Sequence, residues 1–288
     1  MDCSLLIDCF VFCCTCNFKV KETTEAIIAF IQSWFKQNGT DCNAVIGISG
    51  GKDSTIVAKL CVKALGADRV IGVMLPNDHQ HDLDVAKEVC QHLGIKSYLI
   101  DISDTFNYVR CDIEDETKKA LSAQALTNLA PRIRMTYLRA FAQCFNGRLI
   151  NTSNLSEDWV GYATVDGDSA GDMSPLCMLT VQEVKAIGHY LGIPEKFVEK
   201  IPEDGLVGKS DEDNLGVTYA AIDKWIREGV CDEKDLQVIN QKFQANKFKI
   251  IKMMGMPCFW PEYEMLFEGE PEQEVIRKLG MAQDPRLQ

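Results

Sequence analysis

No segment of this chain reads as a membrane span, a basic RNA-binding arm or two CxxC spacings that pair as metal ligands, and each absence closes off a class of function. The most apolar stretch near the start, SLLIDCFVFCC (4–14), carries an internal Asp8 and follows an acidic rather than a basic start. It is far short of the roughly 20 residues that cross a bilayer, and it has no small-residue cleavage site. Neither insertion nor export is expected, and the expected location is the cytoplasm. The net charge of −12 argues against a broad nucleic-acid surface, because phosphate contacts need clustered Lys and Arg. An acidic protein that handles a nucleotide must therefore concentrate positive charge, backbone N–H groups or a metal at one place. No internal repeat or low-complexity linker divides the 288 residues, a length that suffices for one large domain or two small ones.

The chain is not poor in cysteine, but its cysteines do not form a disulfide scaffold. Of thirteen, eight (Cys42, Cys61, Cys90, Cys111, Cys144, Cys177, Cys231, Cys258) are scattered singly, mostly inside apolar patterns, as reduced core thiols are. The other five (Cys3, Cys9, Cys13, Cys14, Cys16) crowd into residues 1–18. That segment is expected to be an extension without function, a misassigned start being one explanation, with a metal or redox role as the alternative.

From about Lys19 onward helical and strand patterns alternate. Glu25 to Phe35 has helical periodicity, and Asn43 to Ser49 is a short apolar run bounded by turn residues. Helices are expected at Ser54 to Leu65 and Asp82 to Leu93, and strands at Val70 to Leu75, Lys96 to Asp101 and Arg148 to Thr152. A long helical stretch is expected from Asp115 to Cys144, interrupted near Pro131. Such alternation with near-continuous apolar strands predicts a parallel sheet covered on both faces, with its ligand beyond the carboxyl ends of the strands. GISGGKDS, MLPND and NTSNLSED all fall at such ends. Further helices are expected at Thr180 to Leu191, Val217 to Glu228 and Glu233 to Lys247. Two long polar loops, Ser153 to Ser174 and Pro202 to Gly216, have the length of functional segments.

The stretch AVIGISGGKDST (44–55) leads from the first strand into a helix. Gly47, Ile48, Ser49, Gly50, Gly51, Lys52, Asp53 and Ser54 place backbone N–H groups, hydroxyls and a helix N-terminus around an anion. The spacing is not that of a Walker loop: three residues separate Gly47 from Gly51, and an aspartate follows the lysine. Here SGGKDS resembles the SGGxDS signature of the PP-loop ATP pyrophosphatases, which cleave ATP between the α and β phosphates. The resemblance implies that the loop holds the departing pyrophosphate and that Asp53 binds Mg²⁺.

Three later segments narrow the resemblance. NLAPRIRM (128–135), TSNLSEDWVGYATVDGDSAGDMSPL (152–176) and GLVGKSDEDNLGVTYAAID (205–223) are similar to segments of ammonia-dependent NAD synthetases. The resemblance spans roughly 22–247, and the block 19–288 is expected to be one such domain. It implies a doubly wound, Rossmann-like sheet of the adenine nucleotide alpha-hydrolase type, with extra C-terminal helices. The implied reaction adenylates the carboxylate of deamido-NAD with ATP and displaces AMP with ammonia. Carried over by motif, Gly47 to Ser54, Thr152 and Ser210 would contact ATP, and Asp53 and Glu157 would hold Mg²⁺. Arg132, Asp172, Asn246 and Lys247 would contact deamido-NAD, and Asp168 would bind ammonium or take its proton.

Blander readings stand beside these. Glu157 and Asp158 also suit a solvated loop pair, one of Arg132 and Arg134 a solvated helix face, and Asp168 a loop cap. The resemblance also implies lysines where this chain has Val165 and Val181, and Lys209 and Lys52 are the candidates to replace them. About 45 residues precede the loop, so no glutaminase domain is expected there; free ammonia is the expected nitrogen source, with delivery by a separate glutaminase subunit as the alternative. A homodimer is implied by the family. The alternatives are another PP-loop adenylating enzyme acting on tRNA or a nucleobase, and a nucleotide-binding sensor without catalysis.

Overall fold

The structure is a computed structural model, and it describes residues 18–78, 82–200, 211–253 and 256–259. Helix α1 (Val20–Asn38) leads into β1 (Asn43–Gly47), α2 (Lys52–Leu65), β2 (Val70–Met74), α3 (Leu83–Leu93) and β3 (Lys96–Leu99). Two helices, α4 (Ser103–Thr117) and α5 (Ala123–Cys144), precede β4 (Gly147–Leu149). The four strands form a parallel sheet in the order β3-β2-β1-β4. The register pairs Gly47 with Val73 and Val45 with Leu149, so β1 is central and its carboxyl end has a strand on either side.

The strand residues alternate between two cores, as a period of two requires. Ala44, Ile46, Val70 and Met74 face one layer, where they meet Ile27, Ile31 and Phe35 of α1, Ile56 and Leu60 of α2, and Val89 of α3. Val45, Ile71, Val73 and Leu149 face the other, against Ile102 and against Ile133, Leu138 and Ala142 of α5. Burying each such large side chain contributes roughly 1.5–3 kcal/mol. The apolar runs of β1 and β2 are thus explained by cover on both faces.

The second half of the chain adds α6 (Leu155–Trp159), α7 (Val181–Tyr190), α8 (Glu195–Val198), α9 (Asp211–Leu215), α10 (Tyr219–Glu228) and α11 (Glu233–Met253). Leu155 and Trp159 of α6 join Ile222, Ile226, Ile239 and Phe243 in a third core, which seats the short α6 beside the sheet. Helix α7 starts in a capping box: the Thr180 hydroxyl accepts from the Glu183 N–H, and the Glu183 carboxylate accepts from the Thr180 N–H.

One expectation is corrected. Residues 115–144 are not a single helix broken at Pro131. The break lies at 118–122, where Lys118 takes a left-handed φ of 54° and the Ser122 hydroxyl caps α5 by accepting from the Ala125 N–H. Pro131 sits inside α5. Helix α4 also begins earlier than expected, at Ser103. None of its residues is fully buried, and Phe106 packs only partly against the core beneath β1 and β2. The last strand is shorter than expected, ending at Leu149, with Ile150 continuing as a single bridge to Met173. Among the described residues no helix is long and apolar enough to cross a membrane.

Candidate active site

The SGGKDS loop joins the central strand β1 to α2. Gly50 has φ 84°, and a Cβ there would lie 3.0 Å from the Asp82 carbonyl oxygen and 3.1 Å from the Ala86 nitrogen, so the position requires glycine. The Ser49 hydroxyl accepts from the Gly51 N–H at 3.2 Å and lies 3.2 Å from the Ser54 hydroxyl. Ser54 and Thr55 both donate to the Gly51 carbonyl oxygen. Helix α2 starts at Lys52 with no side chain capping it, so its first amide groups can receive an anion.

The other wall is built at the end of β4. Asn154 caps α6, its Oδ1 accepting from the Glu157 N–H at 3.1 Å. Its Nδ2 donates to Asp53 Oδ1 at 3.1 Å, across 101 residues of sequence. One amide thereby aligns Asp53 with the helix that carries Glu157. Lys52 lies between the two carboxylates, its Nζ 2.9 Å from Asp53 Oδ2 and 3.9 Å from Glu157 Oε1, and only 2% exposed. The Tyr219 ring lies beneath the ammonium at 5.9 Å. Burial alone would drive the Lys52 pKa down, but the Asp53 and Glu157 charges outweigh it and hold the pKa above its ordinary value. The Glu157 pKa is raised well above the usual carboxylate range, by burial first and by Asp53 next, against the opposing pull of Lys52.

Two hard carboxylates beside a phosphate-binding loop suit Mg²⁺. Among the described residues no group of three or more His, Cys, Asp or Glu side chains gathers to enclose a metal by itself. Mg²⁺ asks for less than that, usually one or two carboxylates with phosphate oxygens and water completing its shell. Asp53 and Glu157 fit that demand.

The loop between α6 and α7 carries the remaining groups. Asp168 Oδ1 accepts from the Thr164 N–H at 2.8 Å, and the Asp168 carbonyl oxygen accepts from Asn151 Nδ2 and the Ser153 hydroxyl. The carboxylate reaches solvent, yet the protein packed around it pushes its pKa up, opposed by the Thr164 hydrogen bonds and by Lys249. Lys249 Nζ donates to the carbonyl oxygens of Gly161 and Ala163 at 2.8 and 3.0 Å. Asp158, buried beside Glu157, has its pKa raised well above the carboxylate range, first by burial and then by Asp168.

The predicted residues meet different surroundings. Arg132 is exposed and donates through Nε to the Val165 carbonyl oxygen at 3.1 Å, so a cation does reach the position where a lysine was expected. Arg134 points inward and donates to Leu75, just beyond the end of β2, at 2.9 Å. Val181 is buried in the first turn of α7, its N–H bonded to the Ser156 hydroxyl. Both Asp172 oxygens are committed, one to Arg139 and one to the Leu149 N–H at 2.8 Å. Asp172 lines an open cleft of about 450 Å³ with Trp34, Asn38 and Arg148, apart from the SGGKDS loop. Asn246 Nδ2 donates to the carbonyl oxygens of Val160 and Lys242, which ties α11 to the loop. Lys247 is half-buried on α11, and Thr152 is half-buried two residues past the Ile150 bridge. Ser210 and Lys209 lie outside the described residues.

Sequence reasoning missed Asn154, Tyr219 and Lys249, and it left open which of Arg132 and Arg134 turns inward. Asn154 alone had a local signal, an Asn three residues before a Glu, which is the pattern of a helix start. The others are recognisable only once distant segments are folded together.

Comparison with known proteins agrees with this geometry. A family model described as NAD synthase matches residues 23–256. The NH(3)-dependent NAD(+) synthetase of Methanocaldococcus jannaschii is 39% identical over 208 residues, 70% of this chain and 80% of that protein. The corresponding synthetase of Methanococcus aeolicus is 41% identical over 207 residues, 71% of this chain and 81% of that protein. Among solved structures, the NMN synthetase of Francisella tularensis superposes with a TM-score of 0.74 at 31% identity, covering 86% of this chain and all (100%) of that one. The NH3-dependent NAD synthetase of Campylobacter jejuni superposes with a TM-score of 0.65 at 28% identity, covering 85% and 99%. With its SGGKDS loop on the central strand and its paired carboxylates at the strand ends, the chain belongs to the NAD synthase family.

Proposed function

We propose that this chain converts deamido-NAD to NAD, using ATP to activate the nicotinate carboxylate as an acyl adenylate and ammonia to displace AMP. The observation that carries the reading is the convergence of Asp53 and Glu157 directly beside the SGGKDS loop, with the Asn154 amide joining the Asp53 carboxylate to the backbone of Glu157. In this reading the loop 47–54 receives the β and γ phosphates, and Thr152 and Ser210 add ATP contacts. Asp53 and Glu157 would hold Mg²⁺, which when bound would supply charge neutralisation for the pyrophosphate leaving group. Arg132, Asp172, Asn246 and Lys247 contact deamido-NAD. Asp168, with its raised pKa, takes a proton from ammonium more readily than an ordinary carboxylate does, and the attacking nitrogen must be neutral.

The test is direct. Purified chain with deamido-NAD, Mg-ATP and ammonium should yield NAD, AMP and pyrophosphate in equal amounts. No turnover would leave a nucleotide sensor, and AMP without NAD would indicate a different adenylating enzyme. The likeness to an NMN synthetase favours one second reading, in which nicotinate mononucleotide is the better acceptor. Running the two acceptors in parallel decides between them by kcat/KM.

A homodimer goes with this reading. None of the residues of helix α4 is fully buried, and Tyr108 and Ile113 on it stand exposed. A cytoplasmic location goes with it too: the described cysteines are free thiols, the state a reducing compartment maintains.

A further inference from the structure

Lys52 occupies the variable position of SGGxDS, yet its side chain does not run out to solvent. It folds across the first turn of α2 and ends between the carboxylates of Asp53 and Glu157, over the Tyr219 ring. Asn154 already engages Asp53 Oδ1, so the oxygen turned toward Lys52 is Oδ2. Two carboxylates that share one ammonium in a site this enclosed repel each other strongly, and that repulsion has to be offset for the site to stay assembled. A divalent cation offsets it by facing the same oxygens, so the metal and the ammonium cannot both hold that position.

We propose that Lys52 is a positioning residue, a built-in counter-ion that keeps Asp53 and Glu157 gathered in the nucleotide-free protein and that a divalent cation must displace in order to bind. The proposal rests on the reading of Asp53 and Glu157 as the metal carboxylates. It follows that the nucleotide-free protein binds metal weakly. The metal enters together with ATP, whose phosphates give the displaced ammonium a new partner. Ordered addition is thus written into one side chain at the edge of the loop.

The experiment is a Mn²⁺ titration of the nucleotide-free full chain, following the free aqua ion by electron paramagnetic resonance. Lys52→Met should bind Mn²⁺ at least about tenfold more tightly than the unaltered chain, and Lys52→Arg, which keeps the charge, should stay within about threefold. Equal affinities for the unaltered chain and Lys52→Met would overturn the proposal. Lys52→Met also leaves two carboxylates unneutralised, so its metal-free stability is measured beside Lys52→Met/Glu157→Gln, which removes one charge of each sign. The double variant should recover thermal stability lost in the single one. No recovery would show that Lys52 acts only by packing on Tyr219, which also overturns the counter-ion role. Neither readout needs turnover, so failure of the amidation assay would strike the reaction alone, and unchanged Mn²⁺ binding would strike only this inference.

Discussion

Asn154 donates to Asp53 and accepts from the Glu157 N–H with the two ends of one amide. Replacing it with alanine removes an α6 cap, at a cost of about 1 kcal/mol, and frees Asp53 to rotate. The expected outcome for Asn154→Ala is a raised requirement for Mg²⁺, measured as the activation constant in the amidation assay, with the melting temperature lowered by only a few degrees. An unchanged Mg²⁺ dependence would mean that the loop alone positions Asp53.

Asp223 sits beneath α6, accepting from the Ser156 hydroxyl and from the Gln182 N–H at 2.9 Å. Burial raises its pKa to about 6, against the pull of both hydrogen bonds, with Glu183 adding to the rise and Arg227 opposing it. The folded state therefore holds a proton that the unfolded chain releases at lower pH. Stability from this group is fully present below the unfolded value near 4 and is lost as pH rises to about 6, by roughly 3 kcal/mol. Asp223→Asn should flatten that part of the pH–stability curve, as read by urea unfolding at several pH values.

Arg227 meets Glu183 through two hydrogen bonds of 2.7 Å and also donates to the Met178 carbonyl oxygen. Both side chains are buried, and Glu183 belongs to the α7 capping box as well. Arg227→Ala strands a buried carboxylate, so a loss of about 3–5 kcal/mol is expected. Calorimetry or denaturant unfolding would measure it, and a loss below about 1 kcal/mol would show that Glu183 is served by water instead.

Gly161 has φ 67°, and a Cβ there would come within 2.1 Å of the Asn246 Cβ. Gly161→Ala should therefore push α11 away from the loop and release Asn246 from Val160. Both a lower melting temperature and a raised KM for the dinucleotide are expected. A rise in KM with no change in melting temperature would place Asn246 on the substrate rather than on the scaffold.

Thiol reactivity offers a check on the packing itself. Cys111 and Cys144 are exposed, whereas Cys42, Cys61 and Cys90 are buried, and burial pushes the Cys61 thiol up to about 12. Brief alkylation near neutral pH, mapped by mass spectrometry, should label the first two and spare the other three. Rapid labelling of Cys61 would contradict its place in the main core.

The order of helices and strands, the parallel sheet and the SGGKDS loop were all legible in the chain, because periodicity, turn residues and a short contiguous motif are local properties. The same local signals failed at α4, none of whose residues is fully buried, and they set the helix break at Pro131 rather than at 118–122. Which arginine of the 132/134 pair turns inward was not legible, since both lie on one stretch of helix and only the loop packed above distinguishes them. By itself, then, the sequence determined which chemistry the chain carries and roughly where each element lies. Only the tertiary structure decided that Asn154 ties Asp53 to the start of the helix carrying Glu157 and that Lys52 lies between the two carboxylates. Those relationships join side chains about a hundred residues apart, and they are set by packing and charge balance in three dimensions, which no local pattern encodes.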